Sequence, residues 1–291
     1  MSGHTTGLVE LLDLKRLDDY DWLATADGMR LPQLFGGQLI AQSVVAAGRA
    51  AGPGTEVHSI HTMFLRPGAP DTDVRLTTTP LRVGRQFQAF RVQAWQGQRL
   101  ICESMVSATV HSEGLAHQRM MPVTQSPEDS IDLGRLAEAD GGLAEIWDGF
   151  SAIEMRVAQS TVDDVMHSAS APDNIWMRSR EPLPDDPLLH RAVMAYASDL
   201  LLMTTALAPH GITTGQDNTV MQNWLPISLD HSIRFHTPCP ADDWLLFEQT
   251  TPVAHASRAL VTAAVFDEGG RPAGHVSQET FIRPRHDVGA Q

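Results

Sequence analysis

The sequence predicts an α+β protein that contains two copies of one domain, each a long helix wrapped by a curved antiparallel sheet. A segment with a helical period precedes a series of segments with period two, and this order occurs twice. The HSI motif at 58–60 returns at 231–233, each time after a helix and ahead of three further strands. An apolar helix stripe and an apolar sheet face can each bury the other, so the duplicated unit is the economical architecture.

The composition is that of a globular protein, and the charge narrows the classes of partner. Of 291 residues, 42% are hydrophobic and 19% are charged, and the formal net charge is −14. Such an acidic chain repels nucleic acid and anionic membranes, so we expect neither as a partner. Lys15 is the only lysine. A P-loop needs a lysine after a glycine-rich run, so this nucleotide-binding motif is excluded.

The two cysteines, Cys102 and Cys239, are far apart and fit no metal-binding or redox spacing. We therefore expect free, buried thiols in a reducing compartment. The N-terminal residues lack the basic and apolar regions of a signal peptide, and no run of about 18 apolar residues predicts a membrane span. These features together predict a cytoplasmic protein.

In the first half, 6–26 has the pattern of a short amphipathic segment, and 38–50 has the spacing of a helix. Four strand candidates follow at 57–66, 73–84, 87–96 and 99–111. Gly36 and Gly37 precede the helix. They fit either a loop that passes close to a ligand phosphate or a tight turn that packs the helix onto the sheet, and the pattern favours the turn.

The polar, acidic segment that follows predicts a linker with one short helix. Periodicity resumes with strand candidates at 152–160 and 174–180, a helix at 188–207, and strand candidates at 226–236, 242–252, 257–267 and 272–284. We therefore expect an N-terminal domain at 6–112, a linker at 113–150 and a C-terminal domain at 151–285 that carries the catalytic residues.

Common catalytic motifs are missing from the sequence. It contains no G-x-S-x-G elbow, no H-E-x-x-H or paired C-x-x-C, and no G-x-G-x-x-G after a strand. His58 and His61 are three apart in one strand, so they point to opposite faces and do not share a metal. No serine hydrolase elbow, zinc site or dinucleotide site is predicted.

Three polar residues remain in apolar elements of the second half: Asp199 in the helix, Ser228 at the start of a strand and Gln278 in the last strand. Each has an ordinary explanation, namely a solvated helix flank, a hydroxyl at a strand end and a solvent-facing amide. Together, an acid, a hydroxyl and a carboxamide could hold one water. The acid would accept its proton, and the other two would orient it and stabilise the charge on an attacked carbonyl.

Several segments, spread over both halves in the same order, resemble the type II acyl-CoA thioesterases. They include LFGGQLIAQSVVAA (34–47), VHSIHTMFLRPG (57–68), HRAVMAYASDL (190–200), LDHSIRFHTP (229–238) and VSQETFIR (276–283). The resemblance implies two hot-dog domains in one chain and hydrolysis of fatty acyl-CoA to free fatty acid and CoA, without a cofactor. It also implies a homo-oligomer, a dimer or a tetramer.

The resemblance further implies that an Asp, a Thr or Ser, and a Gln activate the water. Asp199 falls on the family's Asp and Gln278 on its Gln, while Ser228 stands where the family often has Thr. Two alternatives remain open. One is a hot-dog protein that binds acyl-CoA without cleaving it. The other is a hydratase or dehydratase that pairs Asp199 with His210, although the D-x-N-P-x-H pattern is missing.

Overall fold

The computed structural model describes residues 7–26, 31–142, 150–158, 173–212 and 214–285. The helices are α1 (Leu8–Leu11), α2 (Gly36–Ala51), α3 (Leu133–Ala137), α4 (Pro187–Ala197) and α5 (Asp217–Asn223), with 3-10 segments at Glu138–Asp140 and Thr204–His210. The strands of the first half and the linker are β1 (Lys15–Asp18), β2 (Asp21–Ala24), β3 (Glu56–Phe64), β4 (Val74–Val83), β5 (Phe87–Gln96), β6 (Arg99–Thr109) and β7 (Ile131–Asp132). Those of the second half are β8 (Ile153–Ala158), β9 (Asp173–Ser179), β10 (Trp224–Ser228), β11 (Asp230–Phe235), β12 (Leu245–His255), β13 (Arg258–Asp267) and β14 (Pro272–Pro284).

These strands form one antiparallel sheet that runs through both halves. Its order is β1-β2-β4-β5-β6-β3-β11-β14-β13-β12-β9-β8-β7, and β10 pairs with β14 beside β11. The α+β prediction of two helix-and-sheet units is confirmed. The four strands predicted for the first half are β3 to β6.

The two halves meet where β3 pairs with β11. Ile60 of the first HSI motif lies opposite Ile233 of the second. Equivalent residues of the two copies therefore face each other, so an approximate two-fold axis passes between them. Both isoleucines are fully buried, which means that the junction between the halves is part of the core.

Helices α2 and α4 lie inside the sheet and contact each other. Nearly all of α2 from Gly37 to Ala47 is buried. A Cβ atom at Gly48 would lie 2.4 Å from the side chain of Leu188, so the glycine allows the helices to approach closely. Asp186 caps α4 by accepting a hydrogen bond from the backbone of Leu188, and Pro187 is the first helical residue.

The predicted helix at 188–207 is too long. Helix α4 ends at Ala197 with Ser198 as its C-cap, and a 3-10 segment begins only at Thr204. Between them Leu201 has φ 61°, in the left-handed region that breaks an α-helix. Apolar residues still recur at steps of three or four beyond Ala197, because side chains three residues apart also share a face in a 3-10 turn. Asp199 therefore lies beyond the helix and not in it.

Two other segments differ from the sequence-based expectation. The segment 6–26 contains α1 and the hairpin of β1 and β2, which extends the sheet beyond β4. The strand expected at 226–236 is divided at Leu229 into β10 and β11. Ser228 is consequently the last residue of β10 and does not start the strand that follows. The strand expected at 152–160 is β8, and its last two positions lie outside the described residues.

The segment that joins the halves crosses the outer face of the second half. The side chain of Gln118 donates to the carbonyl of Gly270 at 2.8 Å, and Trp176 Nε1 donates to the carbonyl of Gln125 at 2.9 Å. The segment then forms β7, which pairs with β8, and α3, the short helix that the sequence predicts.

Candidate active site

Asp199 is held at the junction of the two halves. It follows the C-cap of α4 and is only 6% exposed. Its carboxylate accepts a hydrogen bond from the backbone N–H of Gly37, in the first turn of α2. A Cβ atom at Gly36 would lie 2.7 Å from Asp199 Oδ2. The glycine pair is thus neither a phosphate loop nor a tight turn, but the place where a helix N-terminus closely approaches a carboxylate.

Burial raises the pKa of Asp199 to about 7, and the hydrogen bond from Gly37 opposes part of this shift. The positive end of the α2 dipole also favours a negative charge there. Within the described structure, Asp199 Oδ1 is buried without a hydrogen-bond partner. A carboxylate that titrates near neutrality and has an unsatisfied oxygen is suited to accept a proton.

Gln278 and Ser228 lie side by side in the second half. Gln278 is fully buried on the inward face of β14, and its Nε2 donates to Ser228 Oγ at 3.1 Å. The Ser228 hydroxyl is half-buried and donates to Met203 Sδ at 3.2 Å. Sulfur is a weak acceptor, so this hydroxyl can readily turn to a stronger one. Two neighbouring polar groups are thereby available for a developing negative charge.

His231 completes the cluster, although the sequence marks it only as part of the repeated motif. It is fully buried on β11, with Nδ1 2.5 Å from Gln278 Oε1 and Nε2 2.9 Å from Ser198 Oγ. Burial lowers its pKa to about 4, so the imidazole is neutral. The sequence signal for His231 is its position in the strand. Because side chains alternate between the two faces of a strand, His231 shares the inward, apolar face with Ile233 and Phe235.

The structure joins two of the three predicted site residues directly. Gln278 contacts Ser228, whereas no hydrogen bond described in the structure links either of them to Asp199. His231 is the member of the cluster that lies near the Asp199 carboxylate, with its Nδ1 3.7 Å from Asp199 Oδ1. That distance exceeds a hydrogen bond, and the neutral imidazole makes no ion pair. Asp199, Ser228 and Gln278 are thus grouped around the ring of His231.

The first half repeats the motif but not the cluster. In each half the serine of the HSI motif pairs with a serine of the next strand, Ser277 in the second half and Ser107 in the first. The following residue is Gln278 in the second half but Ala108 in the first. The first half therefore lacks the carboxamide and contributes the glycines of α2 instead.

Two helix-and-sheet units with a buried acid near a hydroxyl and a carboxamide are an arrangement suited to thioester hydrolysis, and known thioester hydrolases match this chain. The family model described as acyl-CoA thioesterase matches 152–281, and the model of the acyl-CoA thioesterase N-terminal domain matches 26–111. Acyl-CoA thioesterase 2 of Haemophilus influenzae is 29% identical over 97% of this chain and 99% of its own. Acyl-coenzyme A thioesterase 8 of Rattus norvegicus is 30% identical over 97% of this chain and 90% of its own.

The solved structures give the same result. The acyl-CoA thioesterase II TesB2 from Mycobacterium marinum superposes with a TM-score of 0.81 at 30% identity, over 96% of this chain and 99% of that one. The chain belongs to the acyl-CoA thioesterase family. The hot-dog fold and the family that the sequence resembles are both confirmed.

Proposed function

We propose that this chain hydrolyses the thioester bond of fatty acyl-CoA, releasing fatty acid and CoA, with a water held by Asp199, Ser228 and Gln278. One observation carries the proposal: Asp199 is buried, has a pKa of about 7 and leaves Oδ1 without a partner beside the hydrogen-bonded pair of Gln278 and Ser228. Family membership supports the substrate class, since the relatives are named acyl-CoA thioesterases.

In the proposed reaction, Asp199 accepts a proton from the water, and the water oxygen attacks the thioester carbon. Negative charge moves to the thioester oxygen, where the Ser228 hydroxyl and the Gln278 amide donate hydrogen bonds. The carbon–sulfur bond then breaks. The leaving thiolate needs little acid assistance, because the pKa of a thiol is about 8.5. No acyl-enzyme is formed in this sequence.

Oxygen-18 tests direct attack. In a single turnover with excess enzyme in labelled water, we expect one labelled oxygen in each molecule of fatty acid. An anhydride between the acyl group and Asp199 could instead pass an unlabelled carboxylate oxygen to the product. Fatty acid that carries no label in the first turnover would therefore rule out attack by water on the thioester.

Two alternatives are separated by substrate. A protein that only binds acyl-CoA has no need of an acid with a pKa near neutrality beside a thioester, and it would bind acyl-CoA without releasing thiol. A hydratase would consume the double bond of a 2-enoyl-CoA. A hydratase would pair Asp199 with His210. His210 is exposed at the end of a 3-10 segment, whereas Asp199 is buried, so the two residues are in different environments.

The domain limits, compartment and assembly are further parts of the proposal. We propose units at 6–112 and 151–285 joined by the linker 113–150, and limited proteolysis tests whether cleavage is confined to the linker.

Two free cysteines support a cytoplasmic location. No helix among the described residues is long and apolar enough to cross a membrane. A homo-oligomer is supported by β1 and β7, which end the strand order among the described residues and could pair with a second copy, and light scattering measures its mass.

A further inference from the structure

We propose that His231 is a positioning residue that, as a neutral imidazole protonated on Nδ1, fixes the orientation of the Gln278 carboxamide. The proposal rests on the proposed function of the Asp199 site. It concerns a group that need not touch the substrate. Its effect would pass through Gln278 to the Ser228 hydroxyl and to the oxygen of the attacked carbonyl.

The contacts form one continuous chain. Ser198 Oγ is 2.9 Å from His231 Nε2, His231 Nδ1 is 2.5 Å from Gln278 Oε1, and Gln278 Nε2 is 3.1 Å from Ser228 Oγ. Ser198, His231 and Gln278 are all fully buried. Water therefore cannot replace a lost contact without entering the core, and each group depends on its neighbour for a partner.

The chemistry of the donors sets the direction of this chain. A carboxamide oxygen only accepts, so a hydrogen bond at Gln278 Oε1 requires a hydrogen on His231 Nδ1. A neutral imidazole then has an acceptor at Nε2, which can take the hydrogen of the Ser198 hydroxyl. That hydroxyl also lies 2.7 Å from the carbonyl of Ala195, so its single hydrogen is shared between two acceptors.

The hydrogen on His231 Nδ1 determines which way the Gln278 carboxamide is turned. An amide can rotate by half a turn and exchange its oxygen and nitrogen with little change in shape. With a donor at Nδ1 of His231, only one of these orientations avoids placing two donors together. The amide nitrogen is then directed to Ser228 Oγ, so the Ser228 hydrogen can turn from the weakly accepting Met203 sulfur to the substrate. Loss of the imidazole donor would let the amide turn and face Ser228 with its oxygen.

The backbone holds the two partners in register. Ser232 pairs with Ser277 across β11 and β14, and continuing this antiparallel register by one residue places His231 opposite Gln278. Two carboxylates act on the ring: Asp199 Oδ1 is 3.7 Å from Nδ1, and the charge of Asp230 opposes the lowering of the pKa of His231. Burial outweighs this attraction, so the ring stays neutral.

Nitrogen-15 NMR of histidine-labelled wild-type protein tests the tautomer directly. The signals of His231 are those that disappear in His231→Asn. We expect a neutral ring protonated on Nδ1 throughout pH 6 to 8. A neutral ring protonated on Nε2, or an imidazolium in this range, would overturn the proposal, because Gln278 would then be held the other way round or not at all.

Two substitutions test the effect on turnover. His231→Asn keeps a donor near the place of Nδ1, whereas His231→Leu keeps similar bulk without one. We expect His231→Leu to lower kcat about 100-fold and to leave KM nearly unchanged, because a displaced catalytic group costs about this much. His231→Asn should recover most of the lost kcat. The matched controls are His236→Asn and His236→Leu, at an exposed histidine directly after the same strand that contacts His275, and both should retain wild-type kcat.

The outcomes distinguish this proposal from the proposed function. Equal kcat values for folded His231→Asn and His231→Leu, with matching thermal unfolding temperatures, would show that His231 does not act through its donor. If the wild type released no thiol from any acyl-CoA, the proposed hydrolase function would fail. The tautomer measured by NMR would still decide whether His231 orients Gln278.

Discussion

Replacing Asp199 with asparagine should make the folded protein more stable above neutral pH while abolishing its proposed reaction. The carboxylate is buried, and desolvation raises its pKa to about 7 from its usual 3.8. Ionising this group therefore costs more in the folded protein than in the unfolded chain. Asparagine keeps the shape and can still accept the hydrogen bond from Gly37, but it carries no charge.

The pH window follows from these two values. Below about pH 4 the group is protonated in both states, so its contribution to the free energy of unfolding is at its maximum. Between about pH 4 and pH 7 the unfolded chain loses the proton and the folded protein keeps it, so wild-type stability falls as the pH rises. The fall is about 1.4 kcal/mol for each pH unit, or about 4 kcal/mol over the window as an upper bound, since water and local rearrangement relieve some of the cost.

Urea unfolding of the wild type and Asp199→Asn at pH 5 and pH 8 measures this effect. The stability advantage of the variant should grow by about 3 kcal/mol between these values, because they enclose about two pH units of the window. Asp18→Asn is the control, since Asp18 is exposed on β1 and its carboxylate remains hydrated in the folded protein. An advantage of Asp199→Asn that is equal at pH 5 and pH 8 would refute the reasoning.

Three further predictions concern catalysis. The kcat/KM for acyl-CoA should rise with pH as one proton is lost, with a midpoint near the Asp199 pKa of about 7, and then level off; a flat profile from pH 5 to 9 would contradict a base of this pKa. Gly36→Ala should lower kcat at least about tenfold by displacing Asp199, whose Oδ2 lies 2.7 Å from the added methyl group. Gly114→Ala, where the added methyl group meets nothing within 4 Å, should have wild-type kcat. Ser228→Ala should lower kcat about 100-fold, as loss of a donor to a developing oxyanion does. Ser228→Thr keeps the hydroxyl, so its kcat should stay within a few fold of the wild-type value. Equal losses of kcat in both variants would exclude a role for the hydroxyl.

Periodicity in the sequence predicted the main elements of the fold, because helix and strand patterns depend on neighbours a few residues apart. It failed where the backbone changes its geometry without a change in apolar spacing. The helix ends at Ala197, but the apolar residues continue at steps of three or four through the 3-10 segment. The left-handed conformation of Leu201 has no sequence signal, since leucine rarely adopts it.

The contacts within the candidate site depend on residues far apart in the sequence, so the sequence predicts its members better than its geometry. Asp199, Ser228 and Gln278 were visible as polar residues in apolar segments and by resemblance to a family. The contact between Asp199 and the first turn of α2 was not, because it joins residues more than 150 positions apart and depends on how the halves dock. His231 was missed because a histidine within a repeated motif reads as structural. Its inward position in a period-two strand was the overlooked signal.

The most direct test of the whole account is thiol release from a panel of acyl-CoAs by the wild type and by Asp199→Asn at pH 8, with Asp18→Asn as the control. We expect the wild type and the control to release free CoA from at least one acyl-CoA. Folded Asp199→Asn should do so at least about 100-fold more slowly, which is the usual range for loss of a general base. Equal thiol release by the wild type and Asp199→Asn would contradict the assignment of Asp199 as the base that activates water.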